Sequence, residues 1–133
     1  MANLLYNYTD VEQARQLVKI GLDPKTSDMY YETVVSQKTG MPYYHTKLGS
    51  SPAIQQDLFS FRNEYIIPCW SVGALLKTLP KYELYHPGPR GVDEICISGI
   101  GCMAADDGES LVDLLCEMVK YLIEHGFIEP KKY

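Results

Sequence analysis

A chain of 133 residues with 46% apolar and 22% charged residues has the size and composition of one globular domain, which argues against intrinsic disorder. The net charge is −5 and the twelve basic residues are scattered apart from Lys131-Lys132, so the basic face that phosphate contacts require is missing and no nucleic acid is expected as a partner. The longest apolar run, residues 95–105, is broken by glycines and too short for a bilayer, and residues 1–6 lack a basic region followed by an apolar stretch. A cytoplasmic protein with no membrane association is expected.

The first predicted element is a helix. Thr9-Asp10-Val11-Glu12 fits a capping box with Thr9 as the cap and Glu12 reaching back. Val11, Ala14, Leu17 and Val18 then share one face, and Gly21 and Leu22 supply a left-handed end that folds back on the last turn. Residues 29–46 change character, with tyrosine and β-branched residues on both sides of a polar stretch ending in Gly40. This pattern predicts a hairpin with Pro42 at a strand start or edge, where its missing amide does no harm. Residues 48–66 fit either a short helix opened by Ser51-Pro52 or an ordered loop.

Residues 66–70 read as extended and buried. Ser71 then caps a short helix bearing Val72, Leu75, Leu76 and Leu79, stopped by Pro80. Residues 82–86 and 94–98 are strand-like around a turn at 87–91. Residues 102–105 continue a three-stranded meander, with Gly99-Ile100-Gly101 bending or dividing its second strand. A last helix follows, with Asp106, Asp107 and Glu109 at its positive end. Its wide apolar face holds Leu111, Leu114, Leu115, Met118 and Leu122, opposite a solvated stripe of Asp113, Glu117, Lys120 and Glu124. His125 and Gly126 end it. The whole predicts an α+β fold in a single domain over residues 1–133: an antiparallel sheet of hairpin and meander strands, packed on one face by about three helices.

The candidate chemistry is thin. Cys69, Cys96, Cys102 and Cys116 form no C-x-x-C pair and have no histidine at metal-ligand spacing, so buried structural thiols are expected, with no metal and no cofactor. Cys69 and Ser71 at a helix start could serve a nucleophile, but none of the three histidines is near them in sequence. His45 lies on a tyrosine-rich strand, His86 leads into the Pro/Gly turn and His125 ends a helix. The run 106–109 lacks the spacing of an EF-hand loop, and Gly99-Ile100-Gly101 lacks the rest of a dinucleotide fingerprint. The one compositional excess is eleven tyrosines. Successive strand residues face opposite ways, so Tyr30-Tyr31 and Tyr43-Tyr44 should each offer one ring inward and one outward. Tyr30, Tyr31, Tyr43, Tyr44, Trp70 and the loop-tip Arg90 are therefore the candidate binding residues, with no catalytic set.

Two segments carry a family resemblance. Ile67-Pro68-Cys69-Trp70-Ser71-Val72-Gly73-Ala74-Leu75-Leu76, closing at Leu79-Pro80, resembles the PAWSLGALLxLLP-like stretch of a family of small proteins of unknown function from gut bacteria, their phages and prophages. Val112-Asp113-Leu114-Leu115-Cys116-Glu117-Met118 is similar to the VDACxEM segment near the end of the same family, and residues 22–31 fit it as well. The resemblance does not extend to the turn at 87–91. It implies a phage or mobile-element context and brings no activity, cofactor or catalytic residue.

Three functions are consistent with these features. The first is a non-enzymatic accessory or interaction protein, working through a protein partner or as a homo-oligomer. The second is a small hydrolase or transferase using Cys69 or Ser71. The third is an adaptor-like structural component of a phage.

Overall fold

The computed structural model describes residues 7–88 and 90–131; the stretch 1–6 read for a signal, Pro89 of the turn and Lys132 lie outside the described residues. Helix α1 (Val11–Ile20) starts one residue later than the Thr9 cap predicts. Asp10 is the cap: its Oδ1 accepts from Gln13 N at 2.7 Å, and Gln13 Oε1 accepts from Asp10 N at 3.0 Å. Thr9 is committed elsewhere, because its hydroxyl accepts from Trp70 N at 3.1 Å. At the other end Leu22 N donates to Leu17 O, and Gly21 takes φ 107°, the fold-back expected there. Gly21 is needed for a second reason: a side chain there would put its Cβ 2.5 Å from Pro130 Cβ. Lys131 N donates to Gly21 O at 2.7 Å, so residues 130–131 lie strapped across the end of α1.

After a 3-10 turn at Pro24–Thr26, β1 (Met29–Val35) and β2 (Pro42–Leu48) form the predicted hairpin. The stretch that fits helix or loop contains a single helical turn, α2 (Pro52–Gln55), and the chain then reverses at Asp57 with φ 59°. Strand β3 (Ile66–Cys69) returns to the free side of β1, giving an antiparallel sheet in the order β2-β1-β3. Ser71 Oγ accepts from Ala74 N and opens α3 (Val72–Thr78) as predicted. Strands β4 (Tyr82–Tyr85), β5 (Glu94–Ile97) and β6 (Gly101–Ala104) make the meander.

The fold is α+β with antiparallel strands, but the described residues form two three-stranded sheets where the pattern predicts one, and four α-helices where it predicts about three. Hairpin partners lie a few residues apart and share local signals. Membership of a common sheet depends on an edge contact that no local pattern encodes.

Helix α4 (Leu111–Glu124) is capped by Ser110, whose Oγ accepts from Asp113 N at 3.2 Å while Asp113 Oδ2 accepts from Ser110 N at 3.0 Å. Asp106, Asp107 and Glu109 lie just ahead of this cap, at the positive end of the helix, and Glu109 Oε1 accepts from Asp106 N at 2.6 Å. The predicted core face is correct: Leu114, Leu115, Met118 and Leu122 are buried, together with Val112, Val119 and Ile123. This face packs on α1, α3, β5 and β6, while α1 covers β3. Each such side chain contributes about 1.5–3 kcal/mol through burial, which fixes α4 as the spine between the two sheets.

The cysteines correct a further expectation. Cys69 and Cys116 are buried free thiols, but Cys96 and Cys102 are joined in a disulfide. The two stand directly opposite across β5 and β6, a register the sequence alone does not reveal.

Candidate functional site

Two of the candidate binding residues turn out to be core. Trp70 has no exposed surface and its Nε1 donates to Thr26 Oγ1 at 2.9 Å. Tyr31 is buried on β1 and its hydroxyl donates to Thr9 O at 2.5 Å. Both fill and tie the interior, so the binding expectation for them is withdrawn. Tyr30 is half-buried, and the first pair thus follows the inward and outward rule in part. The second pair does not: Tyr43 and Tyr44 are 42% and 46% exposed, because β2 lies beyond the cover of the helices. Arg90 is exposed in the β4–β5 connection, on the other sheet, and takes no part in this tyrosine surface.

Every residue of β2 is exposed, and its outer edge is unpaired among the described residues. Thr33 N donates to Tyr65 O at 2.8 Å, so the odd-numbered residues of β1 bond towards β3. The even-numbered ones then bond towards β2, where Val34, Glu32 and Tyr30 face Tyr43, His45 and Lys47. On β2 this leaves Tyr44, Thr46 and Leu48 with amide and carbonyl groups directed outwards. Pro42 has no amide to offer, so the sheet loses nothing by its position.

The two faces of the edge differ. Tyr44 lies edge-on to Tyr31 at 6.4 Å, on the face that carries the core further along the sheet. Leu48, 86% exposed, shares that face through its pairing with Met29, and Tyr65 stands 69% exposed beside Thr33. The opposite face carries Tyr43, His45 and Lys47, with the Tyr43 and His45 rings 5.0 Å apart. The strand has no acidic residue although the chain as a whole carries −5. The edge strand thus carries apolar side chains and Lys47, with Glu32 of β1 standing on the same face opposite His45.

The nucleophile candidates are held in structural roles. Burial pushes the Cys69 thiol up to about 11, and its Sγ lies 3.4 Å from Thr9 O, which accepts from it. Ser71 Oγ donates to Asp28 Oδ2 at 2.5 Å while capping α3, with no histidine in the arrangement.

A cluster the sequence did not single out lies at the start of α4. His86 Nδ1 is hydrogen-bonded to Asp93 Oδ1 at 2.5 Å at the mouth of a cleft of about 400 Å³, which Asn7, Val72, Glu109 and Ser110 also line. The two residues continue the β4–β5 register by one step beyond Tyr85 and Glu94, so knowledge of that register would have placed them together. The carboxylate orients the ring of a largely exposed side chain. Ser110 in the same cleft is occupied as the α4 cap. On the outer face of the second sheet, Glu94, Cys96 and Cys102 bring their ligand atoms within 4.8 Å of one another.

No family model, no curated protein and no solved structure matches this chain. Among the described residues no helix is long and apolar enough to cross a membrane.

Proposed function

We propose that this is a non-enzymatic accessory protein that binds an extended segment of another protein by strand addition along β2. One observation carries the proposal: a seven-residue strand exposed along its whole length, with Tyr44, Thr46 and Leu48 presenting backbone groups that no strand among the described residues pairs. Strand addition draws its affinity from such groups and its specificity from alternate side chains. The partner segment that fits alternates apolar residues, set against Tyr44 and Leu48, with acidic residues set against Lys47 and His45. A second copy fits less well, since no antiparallel pairing of β2 with itself sets Lys47 or His45 opposite a carboxylate, and some set Lys47 against itself. The cytoplasm is the compartment that goes with this reading. The resemblance at residues 67–80 and 112–118 supports a phage or mobile-element origin.

A synthetic peptide of alternating valine and glutamate is the direct probe, with a valine–lysine peptide as control. In amide hydrogen exchange the first peptide should protect Tyr44, Thr46 and Leu48, and the second should not. Thr46→Pro removes an outward amide that β1 does not use, so it should abolish that protection and leave the fold intact. Absence of protection at these three amides overturns the proposal. So does a wild-type dimer that Thr46→Pro dissociates, because the edge would then serve a second copy.

A further inference from the structure

We propose that the outer face of the second sheet is a thiol-gated site for a thiophilic divalent cation of the zinc type, with Cys96, Cys102 and Glu94 as its protein ligands. The register builds it. Glu94 and Cys96 are two apart on β5 and so share a face, and Cys102 stands directly opposite Cys96 on β6. Ile95 and Ile97 are buried on the other face, which leaves the three ligands on the open side.

Two sulfurs on one tetrahedral ion, each at ~2.3 Å from it, lie about 3.8 Å apart, and a sulfur and a carboxylate oxygen about 3.6 Å apart. Cys96 Sγ and Glu94 Oε1 are already 3.8 Å apart. Glu83 faces Cys96 from β4, with Tyr85 donating its hydroxyl to Glu83 Oε2 at 2.6 Å. The fourth position falls to this carboxylate or to water. Soft thiolates joined to a carboxylate suit zinc better than calcium or magnesium, which take oxygen alone.

The disulfide is the gate. A dithiol reductant gives two electrons and two protons, the Cys96–Cys102 bond breaks to two thiols, and the reductant leaves as its own disulfide. The cation then displaces one proton from each thiol and binds the pair of thiolates together with the Glu94 side chain. Access favours this order. Cys102 is exposed and Cys96 half-buried, beside a cleft of about 480 Å³ that Tyr82 and Tyr85 also line. Disulfides are uncommon in reducing compartments, where this pair would stand as the dithiol.

Cobalt(II) titration of the full chain tests the site. The reduced protein should take up one equivalent and develop thiolate-to-cobalt charge-transfer and tetrahedral ligand-field bands, which zinc then bleaches. The oxidised protein and the Cys102→Ser variant, shown folded by circular dichroism, should develop neither. Glu94→Gln should keep the thiolate band but weaken binding by about 10-fold or more, the loss seen even for outer partners of a metal. Reduced protein without these bands at stoichiometric cobalt overturns the proposal, as do bands that survive in Cys102→Ser.

Discussion

Thr9 uses every polar group it has inside the protein. Its amide donates to Trp70 O at 2.9 Å, its hydroxyl accepts from Trp70 N and faces Cys69 Sγ at 3.6 Å, and its carbonyl accepts from Tyr31. A hydroxyl with these partners in a wholly buried place contributes more by its absence than by its presence, since removal leaves Trp70 N unsatisfied. Thr9→Val, which keeps the shape, should cost roughly 1–3 kcal/mol, read as a fall in the urea midpoint. Thr9→Ser should lose less. The sequence marks Thr9 as a helix cap because threonine suits that role. What overrides it is Trp70, 61 residues away, which no local pattern connects to it. The same limit hid the core role of Tyr31 and the pairing of His86 with Asp93.

Between elements, the capping boxes of α1 and α4 meet. Gln13 closes the first box and Asp113 the second, and Gln13 Nε2 donates to Asp113 Oδ1 at 2.6 Å. The start of each helix therefore holds the other in place. Gln13→Ala should cost roughly 0.5–1.5 kcal/mol for each hydrogen bond it removes. The double variant with Asp113→Ala should fall short of the sum of the single ones by about 0.5 kcal/mol or more, measured by urea denaturation. Additive losses would mean that the two caps act alone. Helix faces, stops and both hairpins were legible in the sequence, because each depends on residues within a few positions of one another. The spacing of Asp113 places it on the solvated stripe of α4; its partner comes from another helix. Likewise the full exposure of β2, and so the loss of the inward ring expected of Tyr43-Tyr44, follows from where α1 ends its cover.

For the molecule as a whole, the buried acids set an alkaline limit. Burial pushes Cys69 up to about 11 and Cys116 to about 12, and it raises Tyr31 well above the usual phenol range, with Cys69 adding to it. Unfolded thiols ionise near pH ~8.5. Above that value the unfolded chain holds fewer protons than the native one, so stability falls as pH rises and continues to fall until the native thiols ionise. Each thiol contributes about 1.4 kcal/mol per pH unit to that slope. The urea midpoint should be level up to about pH 8 and drop between about pH 9 and 11. Cys116→Ala should lower the slope by one thiol's share; an unchanged slope would rule that thiol out as a cause.

The strap of residues 130–131 across Gly21 bears on how the chain reaches this structure. Lys131 Nζ sits 3.4 Å from Asp23 Oδ1, 108 residues earlier, and Gln13 reaches Asp113 across 100. Closing such loops costs chain entropy before any contact is made, which slows folding far more than helix content would suggest. The end of α1 thus gains its strap only once residues 130–131 have been synthesised, and a nascent chain that stops short of them carries that helix end uncovered.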